Sequence, residues 1–227
     1  MPARPSDWSR LSDPELLKLR FCDLGLSQVR RAPLKRAIRR LYDELDARGI
    51  AFKPHVWISE EWFSPDGVPG IAIPFYLAHP RLIQLERKLI GEAEGEDRGE
   101  AMRLLRHECG HAVVHAFGLT KRASWREVFG HPRKPFSDYY RYQPYSKSYV
   151  RNLKDFYAQS HPEEDFAETF AVWLNPEIDW RELYAGWPAL KKLEYIDSLV
   201  PSIGKKPVTV AKKEFFWQIS TLKKKLD

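Results

Sequence analysis

Apolar and polar positions alternate along this chain with two periods, one helical and one strand-like. Near the amino terminus Ser12 and Glu15 make a capping-box pair around Pro14, and Gly25 follows the last apolar residues, which predicts a first helix. Leu34, Ile38, Leu41 and Leu45 then recur at helical spacing up to Gly49, so residues 1–50 read as a helical part with two helices. Residues 55–63 and 71–77 are rich in β-branched and aromatic side chains and flank the turn sequence Ser64-Pro65-Asp66-Gly67, which predicts paired strands. Pro74 marks the second as an edge strand.

After the acidic, glycine-dotted stretch 91–99, a helix is expected from about Glu100 to Phe117, with Ala101, Leu104, Leu105, Ala112 and Ala116 as its apolar contacts. Residues 130–149 are aromatic and interrupted by prolines, and read as a loop crossing a cleft. Ser160 and Glu163 form a second capping-box pair around Pro162 and open a helix that stops at Asn175-Pro176. Phe215, Ile219, Leu222 and Leu226 recur at helical spacing among lysines and predict a basic amphipathic tail helix. The expected class is α+β, a small mixed or antiparallel sheet packed on helices.

Composition changes this picture in three ways. With 227 residues, 43% of them hydrophobic, the chain can fill one sizeable core, and residues 1–204 read as a single domain with 205–227 as its tail. No window approaches eighteen apolar residues and the first residues lack the apolar stretch of a leader, so a cytoplasmic protein without a transmembrane segment is expected. Cys22 and Cys109 alone cannot build a disulfide framework. Residues 205–227 hold seven lysines against Glu214 and Asp227, so they carry +5 of the net +6; a basic tail of this kind meets nucleic acid, an anionic membrane or an acidic partner, or is simply solvated.

The candidate chemistry lies in His107-Glu108-Cys109-Gly110-His111. Four residues of helix set the two imidazoles about 40° apart, on one face, where both can point at a single ion. Glu108 lies between them in angle and reaches a metal-activated water without having to ligate. A catalytic zinc site needs a third protein ligand. His115 stands eight residues, about 12 Å, from His107 and cannot share the ion, so a structural role is expected of it. Val114 and Phe117 occupy the positions where a metzincin has its glycine and third histidine, which sets that class aside. Glu164 and Glu168, four apart at the acidic start of the later helix, share a face; one can ligate while the other supports a ligating histidine through its second ring nitrogen.

These residues resemble the gluzincin branch of zincin peptidases, in which a second helix donates a glutamate to the metal. The stretch Leu104 to His111, then Trp125, Phe129-Gly130 and His161-Pro162-Glu163-Glu164-Asp165-Phe166-Ala167-Glu168-Thr169-Phe170-Ala171, is similar to the bacterial putative zinc-binding metallopeptidases, and the likeness covers most of residues 10–200. The Glu-x-Phe-Ala-Glu block is also similar to the catalytic domain of anthrax lethal factor. That likeness implies a zincin-like fold holding one Zn2+ on His107, His111 and Glu164, with Glu168 behind a ligand and Glu108 as general base. It also nominates Tyr157, seven residues before Glu164, as oxyanion stabiliser, with Tyr139, Tyr140, Tyr142, Tyr145 and Tyr149 as rivals. The implied activity is peptide-bond hydrolysis of a polypeptide, with residues 71–73 offering an edge for an extended substrate. The alternatives are a zinc-binding interaction module without catalysis, and a protease brought to nucleic acid by its tail.

Overall fold

Two helices, each buried on almost every side, cross at the centre of the molecule. The computed structural model describes residues 7–137 and 139–227; residues 1–6, part of the stretch read above for a leader, lie outside them. The central pair is α4 (Arg98–Phe117) and α6 (Pro162–Leu174), in which Leu104 to Val114 and Glu164 to Leu174 are all buried. Asp97 caps α4 by accepting from the Gly99 and Glu100 amides. The cap of α6 is His161, whose Nδ1 accepts from the Glu163 amide, while Ser160 instead donates its hydroxyl to the Tyr157 carbonyl.

Gly110 explains how closely the two helices approach. A Cβ there would stand 2.8 Å from Ala167 Cα and 3.2 Å from its carbonyl oxygen, so only glycine lets the backbones meet at this point. Ala167 lies on the turn between Glu164 and Glu168, and the contact therefore delivers both carboxylates to the face of α4 that carries His107 and His111.

Around this pair pack α2 (Ala32–Ala47), α5 (Ala123–Phe129) and α8 (Leu190–Ile203), with α1 (Asp13–Leu17), α3 (Pro80–Ile90) and α7 (Trp180–Leu183) outside them. The Ser12–Glu15 capping box forms, but α1 ends at Leu17 and Gly25 instead closes a 3-10 turn at Phe21–Leu24 in the left-handed region. Helix α3, between the expected second strand and the acidic loop, was not foreseen.

The sheet differs from expectation in its direction. β1 (His55–Ser59) and β2 (Gly70–Pro74) run parallel, with Val56 opposite Ile71 and Ile58 opposite Ile73. The turn at Pro65 to Val68 is present, yet it does not close a hairpin; residue Phe63 instead makes an isolated antiparallel bridge to Ala72, whose amide donates to the Phe63 carbonyl at 2.8 Å. Each residue of β2 is buried. Pro74 still stands at a strand end, but the edge read as a substrate platform is covered and already hydrogen-bonded.

The tail is not a helix. Apart from one 3-10 turn at Ile219–Thr221 it runs extended back over the domain. Thr209 and Val210 donate to the Ala116 carbonyl at the end of α4, and the Phe21 and Cys22 amides donate to the Lys224 and Leu222 carbonyls. The Glu214 carbonyl accepts from His55, and the Phe216 carbonyl from Trp57 and Ser59. Carbonyls used in this way are lost to an i to i+4 ladder, which is why the helical spacing of its apolar residues is not realised.

Candidate metal centre

Five polar residues of α4 and α6, His107, Glu108, His111, Glu164 and Glu168, are buried where the two helices meet. His107 Nε2, His111 Nε2 and Glu164 Oε2 stand at mutual distances of 3.3, 3.1 and 3.1 Å. Ligands at about 2.0–2.1 Å in a tetrahedral zinc site are separated by roughly 3.3 Å, so this triangle has the dimensions of one face of such a site. Two imidazoles and one carboxylate are also the donor set that zinc takes in hydrolytic centres. The residues therefore fit the ion.

Glu168 stands behind His107. Its Oε1 accepts from His107 Nδ1 at 2.8 Å and from Asn152 Nδ2 at 2.8 Å, and its Oε2 accepts from the Leu153 amide at 2.8 Å. With one proton held on Nδ1 by Glu168, Nε2 of His107 is the ring nitrogen that faces the centre, and it presents a lone pair there once its own proton leaves. Asn152 and Leu153 lie 16 and 15 residues from Glu168 in a loop without a motif, and only the fold brings them under it.

Charge follows the same geometry. Burial disfavours the charged form of His107, yet the Glu164 and Glu168 carboxylates outweigh it and hold its proton well above the ordinary histidine range. His111 is raised for the same reason, with Glu164 outweighing burial. Burial would lift Glu164, but His111 and His107 together keep it well below the ordinary carboxylate range, so it is an anion facing two rings whose Nε2 protons a metal ion would have to displace. Burial raises Glu108 against the pull of both imidazoles, and its Oε2 is a buried oxygen with no hydrogen-bond partner among the described residues.

Tyr157 is beside the centre, its ring 5.7 Å from that of His107 and still 37% exposed. Burial, reinforced by the Glu164 and Glu108 charges, raises its phenol, which keeps the hydroxyl a donor. The two preceding residues, Asp155 and Phe156, both adopt left-handed backbone at φ 57° and 55°. Neither is glycine, so the turn is strained and must be held from outside. Tyr140 Oη donates to the Asp155 carbonyl at 2.7 Å, Tyr142 stacks on Phe156, and Gln143 and Gln159 exchange two hydrogen bonds at 2.8 and 3.0 Å. Of the rival tyrosines, Tyr139 and Tyr145 are exposed and Tyr149 lies under Lys192, away from the triangle.

A second group, Asp66, His115 and Glu163, also brings three ligand-type atoms within 4.8 Å. Here His115 Nδ1 accepts from the Gly67 amide at 3.2 Å, so the neutral ring carries its proton on Nε2, the atom that faces Asp66. That nitrogen has no lone pair to give a metal, and the group ties the 60–69 loop to α4.

Residues 87–182 match the family described as putative zinc-binding metallo-peptidase. No curated protein and no solved structure shows a significant match to the chain. The matched segment runs from α3 into α7 and contains the triangle, Glu108, Glu168, Asn152 and Tyr157, so this part of the chain is similar to the putative zinc-binding metallo-peptidases.

Proposed function

We propose that this chain is a zincin-like peptidase in which His107, His111 and Glu164 hold one Zn2+ and Glu108 is the general base. The observation that carries the reading is the triangle of two imidazole nitrogens and one carboxylate oxygen at zinc-face dimensions, with Glu168 fixing the tautomer of one ring. When bound there, zinc supplies Lewis acidity, acidifying water and polarising a carbonyl. Glu108, raised by burial and with a free oxygen, accepts the proton of the attacking water and returns it to the leaving amine. Tyr157 donates its phenolic hydrogen to the oxyanion of the tetrahedral intermediate. The substrate is a polypeptide, bound without help from the covered edge of β2.

Metal analysis and hydrolysis of unfolded proteins test this together. Wild type is expected to hold one zinc per chain, Glu164→Ala to lose it, and Glu108→Gln to keep it while losing turnover by several orders of magnitude. Full hydrolysis by Glu108→Gln, or stoichiometric zinc in Glu164→Ala, contradicts the assignment. Zinc retained by a wild type that hydrolyses nothing favours a metal-stabilised binding module instead.

A further inference from the structure

The tail carries a feature that the metal centre does not use. Phe215, Phe216 and Trp217 are consecutive, and they are exposed by 47, 43 and 54%. They are not a loose end. The Phe216 carbonyl accepts from Trp57 Nε1 at 2.9 Å and from Ser59 Oγ, and the Trp217 carbonyl accepts from Ser59 Oγ at 3.0 Å. His55, Trp57 and Ser59 alternate along β1, so the tail lies across one face of the sheet. Gly70 leaves that face flat, since a Cβ there would stand 2.5 Å from the His55 ring and 2.8 Å from Trp57. Phe215 packs edge-on against His55 and Trp57, and Trp217 against Phe63. The backbone is thus pinned inward while half of each ring is held in water. Trp217 does this at φ 48°, a left-handed conformation that costs a bulky residue free energy.

Lysines bracket the triad. Lys212 and Lys213 precede it, and Lys223, Lys224 and Lys225 return to the other end of β1, where Lys224 pairs with Glu60, next to Ser59, at 2.6 Å. The five residues of β1 span roughly 13 Å, under two Debye lengths at physiological salt, and exposed lysines stand at both ends of that span. Glu214 is held by Lys212 and Glu60 by Lys224, while Lys213, Lys223 and Lys225 make no ion pair among the described residues.

We propose that Phe215, Phe216 and Trp217, with the lysines at either end, form a docking surface for an anionic lipid bilayer. Phenylalanine and tryptophan rings settle at the boundary between headgroups and acyl chains, and lysines beside them gain from the negative surface potential of anionic headgroups. Two weak signals together give a stable peripheral attachment where either alone does not. No described helix is long and apolar enough to cross a membrane. Nucleic acid is the weaker fit: the seven cationic side chains of residues 205–227 are all lysine, without the arginine forks that grip phosphates in pairs. The inference is independent of the peptidase reading, because none of these residues touches the metal centre.

Flotation of the full chain with vesicles decides it. Binding is expected to phosphatidylcholine vesicles containing about a quarter phosphatidylserine, to weaken as salt rises, and to be absent with phosphatidylcholine alone. The triple change Lys213→Gln, Lys223→Gln, Lys225→Gln alters only exposed side chains and is expected to lower affinity on the order of a hundredfold. Phe216→Ser with Trp217→Ser is expected to release the chain at moderate salt, and its thermal melt shows whether the tail still folds back. The proposal is overturned if wild type does not float or floats equally with neutral vesicles, or if the lysine variant binds like wild type. It is also overturned if an oligonucleotide is bound more tightly than the vesicles and the same lysines are needed for that binding.

Discussion

Two histidines four residues apart on α4 have opposite fates because of what faces them. His111 turns to Glu164 at 3.1 Å in the candidate metal centre; His115 accepts from the Gly67 amide, and burial, with His111 adding to it, depresses its ring to about 4. The consequence for stability has a definite sign. A histidine whose folded pKa lies below its unfolded value of about 6.5 binds fewer protons when folded, so its contribution is complete above about 6.5 and is lost as pH falls toward 4. We expect His115→Gln to flatten the acid limb of a stability curve over that window by on the order of 2 kcal/mol, measured by urea unfolding at a series of pH values. An unchanged limb would assign the loss to other groups. That His115 cannot share an ion with His107 was legible from their separation of about 12 Å, whereas its partner in the 60–69 loop was not, because that contact joins residues 48 apart along the chain.

Helix packing is where the five-residue motif becomes a site. Gly110 sits against the Ala167 backbone, and an added methyl at 2.8 Å cannot be absorbed by a side-chain rotation, since the opposing atoms are main chain. Gly110→Ala is expected to cost about 1–3 kcal/mol and to weaken zinc binding as well, because spreading α4 from α6 pulls Glu164 from His111; chelator competition on the folded variant measures the second effect. Retained wild-type affinity would mean that α6 tolerates the shift. The turn before Tyr157 makes a second case. Its two left-handed residues are held by Tyr140, Tyr142 and the Gln143–Gln159 pair, so Tyr140→Phe, which removes the bond to the Asp155 carbonyl, is expected to speed amide hydrogen exchange over 154–160 while leaving α6 protected. Equal exchange in the two proteins would show that the turn holds itself. The aromatic stretch was readable as an irregular loop, but no local pattern distinguishes a tyrosine that braces a turn from one that simply packs.

Across the whole molecule the centre depends on how α4 is fastened to α2. Arg106, next to His107, donates from Nε and Nη2 to the two oxygens of Glu44 at 2.8 and 2.7 Å, and both side chains are buried. Removing one member strands a buried charge, so Glu44→Ala is expected to cost about 3–5 kcal/mol in denaturant unfolding, while Glu44→Leu with Arg106→Met recovers most of it. A small loss in the single variant would mean that water reaches the pair. The same dependence on distant contacts separates what was legible from what was not. Helices α2, α4 and α6, the motif and the acidic pair at the start of α6 could be read directly, because helical periodicity and capping are local and the metal-type residues stand four apart on one turn. The strand direction, the covered edge of β2, the extended tail and the Asn152 and Leu153 contacts to Glu168 were decided by tertiary structure. A parallel pair, a strap and a loop amide each answer to hydrogen-bonding partners far away along the chain, and no local periodicity encodes which partner is nearest once the core has closed.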